Sequence, residues 1–373
     1  MKVKYCILAL FSAFLILSFH SNCESAIDTS GIDKVLEKGV LDGDDLAVID
    51  KFVAESVIEL IKSKDFTEVS LIRDVILSRR SEQGQFAQQF SESALKHISS
   101  GLEQVDGFTD EDRRFRITVN LFILIDHLES PKLAGLALGR VNDNNKVIQY
   151  WAIHSVTNPG LAEKLKSRSE NLKLVRDITV KLTELAESVG PENLALMSEF
   201  AGLLDLQQGE QLLLKIADVR IKGYAQWQVE DELLDAKILQ LLYNKIASPG
   251  GDKAKLGRRF AQLYSYVMQK YIKDINGGNF LSTEEKNRLA SVLIETEKSC
   301  ISALFVPQAT IRNGVIYGDV TSLLLEHSRL LGDETGPGLL GRKLKFDYGK
   351  DETGRIRTGP IVLAEKPAEK AVN

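Results

Sequence analysis

The sequence predicts a mainly α fold, an α-solenoid-like stack of helical pairs with a small β-containing segment near the C-terminus. Three observations carry this. Apolar residues recur at helical spacing through most of residues 44–306, proline and glycine breakers fall at the ends of the periodic stretches, and the pattern changes after Val306-Pro307. The expected organisation is a signal peptide (1–25), an all-helical repeat-like domain (26–306), a C-terminal hairpin, helix and short strands (307–363), and a disordered tail (364–373).

The N-terminus carries Lys2 and Lys4, an apolar run from Tyr5 to Phe19, and then the polar stretch His20-Ser21-Asn22-Cys23-Glu24-Ser25. This order matches the three regions of a secretory signal. The apolar run is shorter than the ~20 residues a helix needs to cross a bilayer, so release is favoured over anchoring. Small residues place the cut after Cys23 or Ser25. Acylation of Cys23 is disfavoured, because His20, Ser21 and Asn22 stand where small apolar residues belong. Loss of the signal at either point leaves Cys300 as the one thiol, so no internal disulfide is expected. Without Lys2 and Lys4 the net charge moves from −5 to −7, a balance that argues against nucleic acid and anionic membrane surfaces as partners.

In the helical part the clearest stripe is Phe260, Leu263, Tyr264, Val267, Met268, Tyr271, Ile272 and Ile275. A second runs through Leu172, Val175, Ile178, Leu182, Leu185 and Val189. A third joins Leu289, Val292, Leu293, Thr296, Cys300, Ile301 and Leu304. Breakers stand at Ser130-Pro131, Asn158-Pro159, Gly190-Pro191, Ser248-Pro249-Gly250-Gly251 and Asn276-Gly277-Gly278. Gaps of 28 and 32 residues separate Pro131, Pro159 and Pro191, which is room for two short helices and a turn each.

Beyond Pro307, Asn313-Gly314 between Thr310-Ile311-Arg312 and Val315-Ile316-Tyr317 predicts a type I′ hairpin. Asp319 is placed to cap a helix ending at Leu331. Gly332 to Gly341 is expected to be a glycine-rich linker and Lys343–Tyr348 a strand. Gly349–Gly354 is expected to be a polar turn and Arg355–Leu363 a returning strand.

The segment 131–157 resembles a HEAT or armadillo-type unit. Pro131 to Gly139 reads as a first helix with small residues, Asn142-Asp143-Asn144-Asn145 as the turn, and Val147, Trp151-Ala152 and Ser155-Val156 as the second helix of that pattern. Ile148 departs from it, since the family commonly has arginine there. The resemblance implies a stack of helix pairs with an extended face free for a partner.

No residue is assigned to catalysis, cofactor binding or metal binding, and no cofactor is expected. His97, His127, His154 and His327 lack metal spacing. Asp126 and His127 are adjacent on a helix and therefore point about 100° apart. Cys300 falls on an apolar stripe, where a thiol is an inert hydrophobe. Asp42-Gly43-Asp44-Asp45 lacks the ligand order of a calcium loop. Asp44, Thr109 and Ser282 or Thr283 are better read as helix caps. Glu111-Asp112, Glu230-Asp231-Glu232 and Glu284-Glu285 read as solvated faces, although Asp231 and Asp235 share a predicted helix face able to hold a cation. Gly332 to Lys343 lacks the Gly-Lys-Ser/Thr of a phosphate loop. Tyr150 with Trp151, and Tyr224 with Trp227, are candidates for an aromatic recognition patch but match core spacing.

These readings lead to an exported helical-repeat scaffold or binding protein. Its expected partner is a protein or another envelope component in a periplasmic or extracellular space. The alternative is an exported, hydrolase-like helical enzyme with a non-local active site. A pocket of converging carboxylates, or Cys300 against a histidine, would favour that alternative.

Overall fold

Residues 27–81, 84–167, 169–307 and 309–367 are described by a computed structural model. The signal sequence expected at 1–25 lies outside the described residues, and so does the end of the tail from 368. The chain divides into two compact units, one up to Leu128 and one from Glu129.

The first unit holds α1 (Ser30–Leu36), α2 (Gly43–Lys62), α3 (Phe66–Ser78), α4 (Gly84–Asp106) and α5 (Glu111–Leu128). Helix α2 packs against α1, α3 and α4, and α5 packs against α3 and α4. The start of α2 is fixed by a capping box: Asp42 accepts from the Asp45 N–H and Asp45 accepts from the Asp42 N–H. The cap is therefore Asp42, and the predicted Asp44 lies in the first turn. Before α5 the carboxylate that accepts a first-turn N–H, from Arg113, is Asp110 rather than the predicted Thr109. Arg113 ties the unit together by donating to the carbonyls of Ile61 and Lys62 at the end of α2.

The second unit continues with α6 (Pro131–Leu138), α7 (Lys146–Thr157), α8 (Pro159–Lys166), α9 (Leu172–Leu185), α10 (Pro191–Leu203), α11 (Gln207–Ala225) and α12 (Leu233–Ala247). Then follow α13 (Lys253–Lys273), α14 (Thr283–Thr296), α15 (Thr310–Tyr317), α16 (Val320–Leu331) and α17 (Leu339–Leu344). The proline breakers become helix starts: Pro131, Pro159 and Pro191 each occupy the first turn, where a missing N–H costs nothing. Helices α6 and α7 form the predicted pair, with Ala152, Ile153, Ser155 and Val156 facing inward. Val147, which the repeat pattern turns inward, is 45% exposed.

Helix α13 is the hub of this unit, packed by α11, α12, α14, α16 and α17. Its residues from Phe260 to Met268 are all buried, so the predicted stripe widens into burial on every side. That leaves Gln262, Ser265 and Lys270 as buried polar groups that must find partners.

The C-terminal predictions need correction. Thr310–Tyr317 is helix α15, not a hairpin. The Glu297 carboxylate accepts from the N–H groups of Ile311 and Arg312, both at 2.8 Å, which satisfies first-turn donors from a partner in another helix. Gly314 serves close packing instead of a turn, since a Cβ there would meet the Leu323 side chain at 2.8 Å. The chain reverses at Gly318 (φ 64°), and Asp319 caps α16 as predicted. The expected glycine linker forms an antiparallel pair, β1 (Gly332–Asp333) with β2 (Gly336–Pro337), registered Gly332 opposite Pro337. The expected strand at 343–348 begins inside α17, and Lys345 (φ 56°) ends that helix. Backbone bonds from Tyr348 to Arg357, Arg357 to Gly349 and Asp351 to Arg355 do close a short antiparallel turn across the predicted Gly349–Gly354 loop. Among the described residues no helix is long and apolar enough to cross a membrane.

Candidate functional site

Three polar residues of α13, Gln262, Ser265 and Gln269, recur at intervals of three and four on one side of the helix. They meet the C-terminal segment. The Gln262 amide pairs with both polar groups of one peptide unit's residue: its Oε1 accepts from the Ile361 N–H (2.8 Å) and its Nε2 donates to the Ile361 carbonyl (3.2 Å). Two turns along, Gln269 Nε2 donates to the same carbonyl (3.2 Å) and its Oε1 accepts from the Leu363 N–H (2.7 Å). A carboxamide has the donor and acceptor of a backbone peptide group, so the two glutamines act as a substitute strand for an extended chain. The Trp227 indole then donates to the Ala364 carbonyl at 3.1 Å, and Lys273 pairs with Glu365. Residues 364–366, predicted as disordered, are thus held by the helical body, and Lys366 lies over the Phe280 ring.

Beside this segment lies a cleft of about 1020 Å³, lined by Gln269, Ile272 and Lys273 of α13, Leu324 and His327 of α16, the β1 end, and residues 355–362. Lining cations are Lys273, Arg355 and Arg357, and lining acids are Asp333, Glu334 and Asp351. Asp333 and Asp351 open two copies of the tetrapeptide Asp-Glu-Thr-Gly, at 333–336 and 351–354. Both copies fold alike: the aspartate Oδ1 accepts from the N–H and hydroxyl of the threonine two residues on. These bonds hold both carboxyl groups below their ordinary range.

Ser265 joins the glutamine pair to the cleft. Its Oγ accepts from Gln269 Nε2 (2.7 Å) and lies 2.8 Å from His327 Nε2. The serine hydroxyl donates to Nε2 or accepts from it according to the ring's tautomer. Burial pushes the His327 pKa down to about 4, with the Asp333 charge opposing, so the ring is neutral near pH 7. Ser265 itself is fully buried.

Two buried ionic clusters brace the helices behind the site. Arg220 of α11 binds Asp235 of α12 in bidentate fashion (2.7 and 2.9 Å), donates to the Glu230 and Asp231 carbonyls, and shares Asp235 with the Tyr224 hydroxyl. Burial raises the Asp235 pKa against the pull of Arg220. Glu232 accepts from Lys270 of α13 (3.0 Å) and Arg288 of α14 (2.8 Å); burial opposes its charge, but these two bonds prevail and hold its pKa low. The predicted shared face of Asp231 and Asp235 does not form. Asp231 precedes α12 with φ 49°, and Asp235 is committed to Arg220.

The other singled-out residues scatter. His97 bonds Asp50 (3.0 Å) in the first unit, where Asp126 is buried and His127 exposed. His154 lies against Trp151 and Tyr150, a half-buried aromatic cluster. Tyr224 is buried, whereas Trp227 stands edge-on to Phe280. Cys300 is buried in the core, its thiol pKa pushed up to about 11 by burial, with Gln240 as its neighbour at 3.6 Å. Sequence reasoning missed Gln262, Ser265, Gln269 and His327 as one set. The polar stripe on α13 and the repeated Asp-Glu-Thr-Gly were the available signals.

No protein-family model matches the chain, and neither curated proteins nor solved structures gave a match.

Proposed function

We propose that the chain is an exported, non-enzymatic scaffold of HEAT-like helical pairs that binds a protein partner, and that the partner seats at the cleft of the second unit. The observation that carries this is the pairing of Gln262 and Gln269 with the backbone of an extended segment at the cleft wall. Such contacts recognise chain geometry more than chemistry, as a peptide-binding surface requires. Packing of α10 on both α11 and α12, and of α12 on both α13 and α14, supports stacked pairs.

The hydrolase-like alternative draws on the Ser265–His327 contact. Two facts weigh against it. The serine hydroxyl is sealed from solvent, out of reach of a substrate carbonyl, and burial leaves the imidazole a weak base. Affinity capture from the native source tests the binding reading. The wild-type chain is expected to retain a specific protein that a chain carrying Arg355→Glu and Arg357→Glu loses. Equal retention by both, or no partner in repeated captures, would sink it.

A further inference from the structure

We propose that residues 360–366 are a detachable strap seated in a groove for extended peptides, and that the groove takes a segment of a partner protein. The segment it fits is strand-like, with a branched apolar side chain at the Leu363 position and a carboxylate two residues later. This rests on the binding-protein reading above and names the kind of partner.

The strap is attached by its backbone. Ile361 is 41% exposed and Val362 74%, so neither side chain holds it down, and the Glu365 side chain facing Lys273 is 86% exposed. Leu363 alone is driven into the core, at 1%. Four bonds from two glutamine side chains and one from Trp227 hold its main chain, and the exposed Glu365–Lys273 pair and Lys366 over Phe280 add contacts at its end. Because the glutamine and Trp227 bonds end on main-chain atoms, another extended chain satisfies them equally well.

The groove is set against being left empty. Gln262 is buried, and a buried amide without partners carries the full cost of its desolvation. Release of the strap therefore leaves a site that favours another backbone in its place. Gln269 also donates to Ser265, so its amide stays oriented by the Ser265–His327 contact when the strap leaves.

The strap also has a fixed end and a place to swing. The Thr358 hydroxyl donates to the Asp333 carbonyl, and Gly359 lies so close to Asp333 that a Cβ would stand 2.7 Å from its Cα. Gly359-Pro360 follows that anchor, and everything beyond it is held by the groove contacts named above. Residues 360–366 can thus leave without disturbing β1. The cleft adjoins the strap along Pro360, Ile361 and Val362, so strap release widens it.

The test uses the full chain and a fluorescein-labelled peptide of residues 358–367, Thr-Gly-Pro-Ile-Val-Leu-Ala-Glu-Lys-Pro, followed by anisotropy. Leu363→Asp, which expels the strap, is expected to raise peptide affinity at least tenfold over wild type. Adding Gln262→Ala and Gln269→Ala is expected to remove that gain. A second pair of variants keeps the outcome independent of how Leu363→Asp folds. A chain with Lys273→Cys on α13 and Glu365→Cys on the strap, which face each other, is tethered there with a short bismaleimide. The tethered chain is expected to bind less peptide than the same chain untethered. Equal binding by tethered and untethered chains overturns the proposal, as does an opened chain that ignores the peptide. A concentration-dependent dimer of the opened chain without peptide binding assigns the groove to a second copy and also overturns it. Partner capture that depends on Arg355 and Arg357, with no peptide bound by the opened chain, overturns the strap alone and leaves the binding reading standing.

Discussion

The two units handle charge differently. In the first, Asp45 and Asp126 are buried, but the ion pairs reach the surface: Asp45 meets the half-exposed Lys38, and Asp50, a third exposed, meets Lys96 and His97. In the second, Asp235, Glu232 and Lys270 are pulled inside and held by Arg220, Tyr224 and Arg288. Surface pairs add little to stability, whereas a buried charge that loses its partner is expensive. The comparison teaches that the first unit is specified mainly by apolar patterning. Around α12 to α14 the second also depends on polar groups meeting across helices.

The sharpest way to break this contrast is to remove one acid from each unit. Asp235→Ala leaves the Arg220 guanidinium buried without its bidentate partner and is expected to cost about 3–5 kcal/mol. Asp50→Ala removes a partly exposed pair and is expected to cost less than about 1 kcal/mol. Urea denaturation of both variants measures the difference, and similar losses would erase the distinction.

His327 gives the next effect. Its folded pKa, about 4, lies below the ordinary 6.5, so between these values the unfolded chain binds the proton more readily. The contribution is fully present above pH 6.5 and is lost as pH falls toward 4, by roughly 3 kcal/mol. His327→Gln is expected to flatten the pH dependence of the urea midpoint over that range. An unchanged slope would assign the acid sensitivity to other groups.

The smallest effect belongs to the first unit. Asp42→Ala removes the capping box of α2 and is expected to lower stability by about 1 kcal/mol. Thermal unfolding followed by circular dichroism reads this, and no change would mean that Asp45 alone secures the helix start.

Within the second unit, legibility in the sequence divided local features from long-range ones. The stripe Val175, Ile178, Leu182 and Leu185 in α9 and the prolines opening α6, α8 and α10 were readable, because helix periodicity and first-turn proline are local properties. Helix α15 was not, because the acceptors for its first N–H groups come from Glu297 and its glycine answers to Leu323. The Asn-Gly pair obeyed tertiary packing over turn preference. The candidate site was readable only in its parts: a polar stripe on α13 is visible, but Ile361 as its partner, 99 residues on from Gln262, is not. His327 carried no local signal at all, since Ser265 reaches it only through the packing of α16 on α13.

The most direct measurement is amide hydrogen exchange on the unmodified protein, comparing Ile361 and Leu363 with Tyr264 and Val267 at the centre of α13. A detachable strap held by glutamine side chains predicts that the Ile361 and Leu363 amides exchange at least about 100-fold faster than the α13 pair, through local opening. Exchange of all four amides at one rate, through unfolding of the whole unit, would contradict it.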